Sequence, residues 1–131
     1  MRILQAANLA GKAINITRTT AAHAMSYKLS TMYGLAHGHA VAVCMQPVWK
    51  HLMDIVSNLI ENSCENYEKF VKLLNEFDLR HISGVVGDID ILAVELADSV
   101  NIQRLSNHPV ALSKQLLTEM YSEILTDLSK L

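Results

Sequence analysis

Apolar residues recur every three to four positions along most of this chain, and no segment reads as a convincing strand. The strongest case runs from near His37 to as far as Ile60, where Val41, Cys44, Met45, Val48, Leu52, Ile55, Val56 and Leu59 keep a helical period. Pro47 lies inside that run and is expected to kink its first turns away from the rest. An earlier segment, about Ile3 to Ile16, sets Ile3, Ala6, Ala7, Ala10 and Ile14 on one face, with Gly11 and the alanines allowing close approach of a neighbour. A second follows from a cap at Thr19 or Thr20 to about Tyr33. Asn62 and Ser63 mark the boundary before a fourth, which carries Tyr67, Phe70, Val71, Leu74 and Phe77. Past a loop with Gly84 and Gly87, Asp88 caps a fifth with the stripe Ile89, Leu92, Ala93, Leu96, Ala97 and Val100. The loop Asn107 to Leu112 leads to Ser113, the cap of a last helix carrying Leu117, Met120, Tyr121, Ile124, Leu128 and Leu131. These segments predict an all-α fold, a compact bundle of about six helices forming one domain over residues 1–131.

Composition supports packed helices and removes several function classes. Half of the residues are apolar but only 5% are aromatic, a balance that suits helices better than a β-sandwich. The net charge of −2 comes without any basic cluster, which argues against a nucleic-acid partner. Cys44 and Cys64 make no disulfide framework, so a reducing, cytoplasmic setting is the expectation, with Cys44 packed in the core. No apolar run reaches the roughly 18 to 20 residues that a membrane span needs, and the first residues lack the apolar stretch of a signal peptide. Helical periodicity begins almost at once, with no cap or leader, as in a fragment of something longer.

Three histidines cluster in sequence: His23, His37 and His39. On one straight helix the first two would stand roughly 21 Å apart, whereas ligands of one ion each approach it to about 2 Å. A shared ion therefore requires the helix to end between them. Gly34 supplies the break, because glycine enters the left-handed conformation that terminates helices. Neutral imidazole suits iron, zinc, copper and nickel, and the start of a helix at His37 favours the neutral ring. Tyr27, four residues after His23, shares its helical face. His39 diverges from His37 by about 200° if both are helical, which argues against one ion for that pair. On the residues alone, two readings of His23 and His37 stay open: ligands of one metal, or ordinary packing and surface histidines. His51, His81 and His108 are isolated and read as surface or loop residues. No phosphate-binding glycine motif, nucleophile elbow or cysteine nucleophile pattern is present.

The order of these pieces carries a resemblance. His23, Tyr27, Ala36-His37-Gly38-His39-Ala40 and Pro47-Val48 resemble the signature segment of the iron-containing (group III) alcohol dehydrogenases. Ala6-Ala7-Asn8-Leu9-Ala10-Gly11 looks like that family's Ala-Gly helix, and Arg104 to Val110 resembles its Asn-Pro loop before the final helix. The resemblance implies a C-terminal helical domain of dehydroquinate synthase type, packed in the parent enzyme on an N-terminal dinucleotide-binding domain that this sequence lacks. It implies a divalent metal in the cleft between them, Fe2+ first and Zn2+ as the alternative, with His23 and His37 as two of its four ligands. The other two belong to an Asp-x-x-x-His element that does not occur here.

The implied activity is metal-assisted hydride transfer between NAD(P) and a small aldehyde or alcohol. Tyr27 stands where many relatives have a histidine, and with His39 it is assigned to positioning cofactor or substrate. The run Thr19 to Tyr27 with His37-Gly38-His39 most resembles the phosphonoacetaldehyde reductase-like branch, so the implied substrate bears a phosphonate, which Lys28 or His39 would meet. Alone, the chain is expected to be inactive, with the missing domain or a partner chain completing it. A cleft face and first helix left uncovered would favour a homodimer. The rival readings are a non-catalytic helical remnant or interaction module, and one half of a split enzyme.

Overall fold

The computed structural model describes residues 2–56 and 61–126, without the side chains of Asp54 and Val56. The Val56 side chain, the stripe positions expected at Leu59, Leu128 and Leu131, and the end expected at Ile60 lie outside what is described. The described residues form seven α-helices and no strand: α1 (Arg2–Ile16), α2 (Ala21–Tyr33), α3 (His37–Val56), α4 (Ser63–Glu76), α5 (Ile89–Asp98), α6 (Ile102–Leu105) and α7 (Lys114–Leu125). The all-α expectation holds, with one helix more than anticipated. The addition is α6, a single turn started by Asn101, whose side chain accepts from Arg104 N at 3.0 Å.

Side-chain caps explain where the later helices begin. Asp88 Oδ1 accepts from Asp90 N at 2.9 Å and Ile91 N at 3.3 Å, opening α5. Ser113 Oγ accepts from Leu116 N at 3.1 Å, opening α7. Thr20 occupies the position before α2 but makes no side-chain capping bond. Pro47 is accommodated within α3, which continues past it to Val56.

The core lies where α2 packs on α3 and α5 packs on α7, with α3 against α7 joining the two pairs. Met25, Leu29, Cys44, Val48, Leu96 and Tyr121 are fully enclosed there, so Cys44 is a packing residue. Tyr121 donates its hydroxyl hydrogen bond to the Met25 carbonyl at 2.8 Å, tying α7 to α2 across the centre. The α5 stripe packs as expected. Trp49 of α3 stacks on Tyr67 and Phe70 of α4 and donates from Nε1 to Ser63 Oγ at 3.1 Å.

Three expectations need correction. Phe77 is 70% exposed, because α4 ends before it and Asp78 turns the chain through a left-handed conformation (φ 52°). Ile55 is also exposed, since no described element covers the last turn of α3. The close neighbour expected at Gly11 is missing: a Cβ there would meet nothing within 4 Å. The whole of α1 stands exposed, its apolar face included.

Candidate functional site

The turn between α2 and α3 builds the site. Gly34 adopts φ 66° and ψ 21°, the left-handed conformation that ends α2. Leu35 and Ala36 then carry the chain to His37, the first residue of α3. The His37 ring returns to the side of α2 that presents His23 and Tyr27. Its centroid lies 5.6 Å from that of His23 and 5.7 Å from that of Tyr27. A separation of roughly 21 Å along a straight helix has thus become contact between rings.

His23 is half-buried, while Tyr27 and His37 are exposed. Burial, and then the charge of His37, push the His23 pKa below its ordinary value. Both causes favour the neutral imidazole, the form that ligates metals. The Ser26 hydroxyl bonds to the His23 carbonyl at 2.8 Å within α2.

The donor set can be tested against a metal. Two imidazoles on one ion, with metal–nitrogen distances of about 2.1 Å, hold their ring centres roughly 4.5 to 5.2 Å apart at ordinary coordination angles. The observed 5.6 Å lies within a few tenths of an ångström of that range. The spacing is compatible with the two rings sharing one ion. No group of three or more His, Cys, Asp or Glu capable of holding a metal occurs among the described residues.

The other residues singled out from sequence fall elsewhere. His39 turns away from His37, and its Nε2 bonds to the Leu79 carbonyl at 2.5 Å. The Nζ of Lys28 sits 3.7 Å from Glu95 Oε1 in an exposed pair. His108 lies in a loop, as expected, yet it is only 7% exposed, and neither ring nitrogen has a hydrogen-bond partner. Its expected surface placement is therefore corrected: the loop folds inward between Leu105 and Leu112, which pack against the core. Burial, and then His51, push its pKa down.

One neighbour of the site carried no role in the sequence reading. Arg104 of α6 places its guanidinium carbon 4.3 Å from the centre of the Tyr27 ring, a cation–π contact. The only local hint was the Asn101 cap three residues before it. The Tyr33 hydroxyl, at the end of α2, is enclosed without a partner, and burial and then Glu95 raise its pKa. No helix among the described residues is long and apolar enough to cross a membrane.

Comparison with known proteins places the chain at the level of a family. The model of the Fe-containing alcohol dehydrogenase family, C-terminal, matches residues 1–111. A phosphonoacetaldehyde reductase of Streptomyces viridochromogenes is 42% identical over 45 residues, which cover 34% of this chain and 11% of that protein. No solved structure matches the chain.

Proposed function

The chain belongs to the C-terminal part of the Fe-containing alcohol dehydrogenase family, and from that premise we propose that it forms the metal-binding helical side of an NAD(P)-dependent alcohol dehydrogenase or aldehyde reductase. The observation that carries this reading is the 5.6 Å approach of the His23 and His37 rings across the Gly34 turn.

In this reading His23 and His37 hold a divalent ion, Fe2+ by the family's name and Zn2+ as the alternative. When bound, such an ion supplies Lewis acidity to a carbonyl or hydroxyl oxygen, and NAD(P) exchanges the hydride with the carbon. The part played by the protein's own residues is positional. His23, held neutral by its surroundings, is ready to ligate without first losing a proton. Tyr27 lines the cleft beside His37 and orients cofactor or substrate there. His39 serves the same end less directly, with one ring nitrogen already engaged by Leu79. The remaining ligands and the dinucleotide site come from an N-terminal domain or a partner chain. The substrate is a small aldehyde or alcohol, and the name of the Streptomyces relative points to phosphonoacetaldehyde. Half of a ligand set and an uncovered α1 favour, as a second reading, one half of a split enzyme.

Cobalt(II) titration of the chain, with the exposed Cys64 replaced by serine, tests the pair. Weak binding should appear in the visible spectrum and disappear in both His23→Ala and His37→Ala. Binding that survives both substitutions removes the metal assignment. The chain alone should not oxidise NAD(P)H in the presence of small aldehydes. Rapid oxidation would refute the need for a second domain.

A further inference from the structure

Arg104, set over Tyr27, is a cation beside the site that the proposed chemistry leaves unused. It is exposed, and α6 holds it in place: Asn101 caps the turn, and the Arg104 backbone N–H is the group that the Asn101 side chain receives. Its guanidinium stacks over Tyr27 at 4.3 Å, and the Tyr27 ring lies 5.7 Å from that of His37. Among the described residues no carboxylate neutralises it, whereas nearby Lys28 faces Glu95. A guanidinium fixed by an aromatic face keeps its N–H edge free, and that edge matches two oxygens of a phosphonate or phosphate at once. Stacking removes part of the side-chain freedom that an exposed arginine would otherwise lose on binding an anion. The two carboxylates that next precede it in sequence are engaged elsewhere, Asp98 with Lys114 and Glu95 with Lys28.

We infer that Arg104 receives a dianionic phosphonate or phosphate group beside His37, and so selects for a ligand bearing one. The inference rests on the cleft assignment made above. Two sources share this chemistry: the anionic substituent of an aldehyde substrate, and the 2′-phosphate monoester of NADP. Tyr27 acts here as the platform that orients Arg104, and His37 marks the end of the ligand where the reaction takes place.

The test uses the 131-residue chain at low ionic strength and pH 8.5, where methylphosphonate is mostly dianionic. Methylphosphonate and NADP+ are titrated separately, following the Arg104 guanidinium carbon and the Tyr27 and His37 ring resonances by NMR. Arg104→Leu should weaken binding about tenfold or more, the scale of a lost charge-assisted contact. Arg104→Lys, which keeps the charge without the planar fork, should fall between. Lys72→Ala on α4, an equal loss of charge away from the cleft, should change little. Methylphosphonate binding that depends on Arg104 supports the inference with substrate as the source. Dependence seen only with NADP+ supports it with the cofactor as the source. Failure of both probes to bind, or equal binding by the wild type and Arg104→Leu, overturns it. The cobalt titration separates the two layers. Cobalt binding without anion binding removes Arg104 alone, and anion binding without cobalt binding removes the metal reading.

Discussion

Replacing His108 by leucine should make this protein more stable, although it removes a buried residue. His108 is 7% exposed and both of its ring nitrogens lack partners. Leaving a buried polar group unsatisfied costs about 1 to 3 kcal/mol. Leucine removes that cost and keeps a side chain of similar bulk in the cavity that His108 lines with Leu105 and Leu112, so a gain of about 1 to 2 kcal/mol is expected at pH 7.5. The backbone bond from His108 N to the Leu105 carbonyl, 2.9 Å, does not depend on the side chain.

The effect should also depend on pH, and its sign follows from the lowered pKa. Burial, and then His51, hold the folded His108 ring below its ordinary value of 6.5. As pH falls through 6.5, the unfolded chain therefore takes up a proton before the folded one does. Wild-type stability declines from that point, and the decline continues until the folded pKa is reached. The leucine variant lacks this contribution, while His23, shifted the same way, still supplies part of the slope. The advantage of the variant should accordingly widen between pH 7.5 and pH 5.5. Urea unfolding followed by fluorescence of Trp49, the single tryptophan, measures it at both values. A variant less stable than wild type by 1 kcal/mol at both pH values would refute the reasoning, because the ring would then be making bonds worth more than its burial costs.

Two substitutions probe how the site is held. Gly34→Ala has open space around it but must adopt φ 66°, so a loss of about 1 to 2 kcal/mol in urea is expected, with weakened ring-to-ring NMR contacts between His23 and His37. Tyr121→Phe removes the bond to the Met25 carbonyl and leaves the ring in place, so a loss of about 1 kcal/mol is expected; an unchanged unfolding midpoint would mean that the 2.8 Å contact contributes nothing to docking α7 on α2.

What the sequence revealed divides along a physical line. The Gly34 break, the Asp88 and Ser113 caps and the α5 stripe are decided within a few residues of themselves, and each is legible from local pattern. The approach of His23 to His37 belongs with them, because a turn and two helix ends span the whole distance. One-turn α6 is too short to display a period, so only its Asn101 cap announces it. The burial of His108 depends on which helices meet around its loop, and the contact of Arg104 with Tyr27 joins positions far apart in the chain. Neither partner can be read from the neighbouring sequence. The exposed face of α1 shows the opposite case, since Ile3, Ala7, Ala10 and Ile14 state plainly that a partner surface is wanted, yet no described element supplies one. A helix pattern records what its face must bury but not what will bury it. For that reason the approach of His23 to His37 could be anticipated from the chain, whereas the contact of Arg104 with Tyr27 had to be found in the fold.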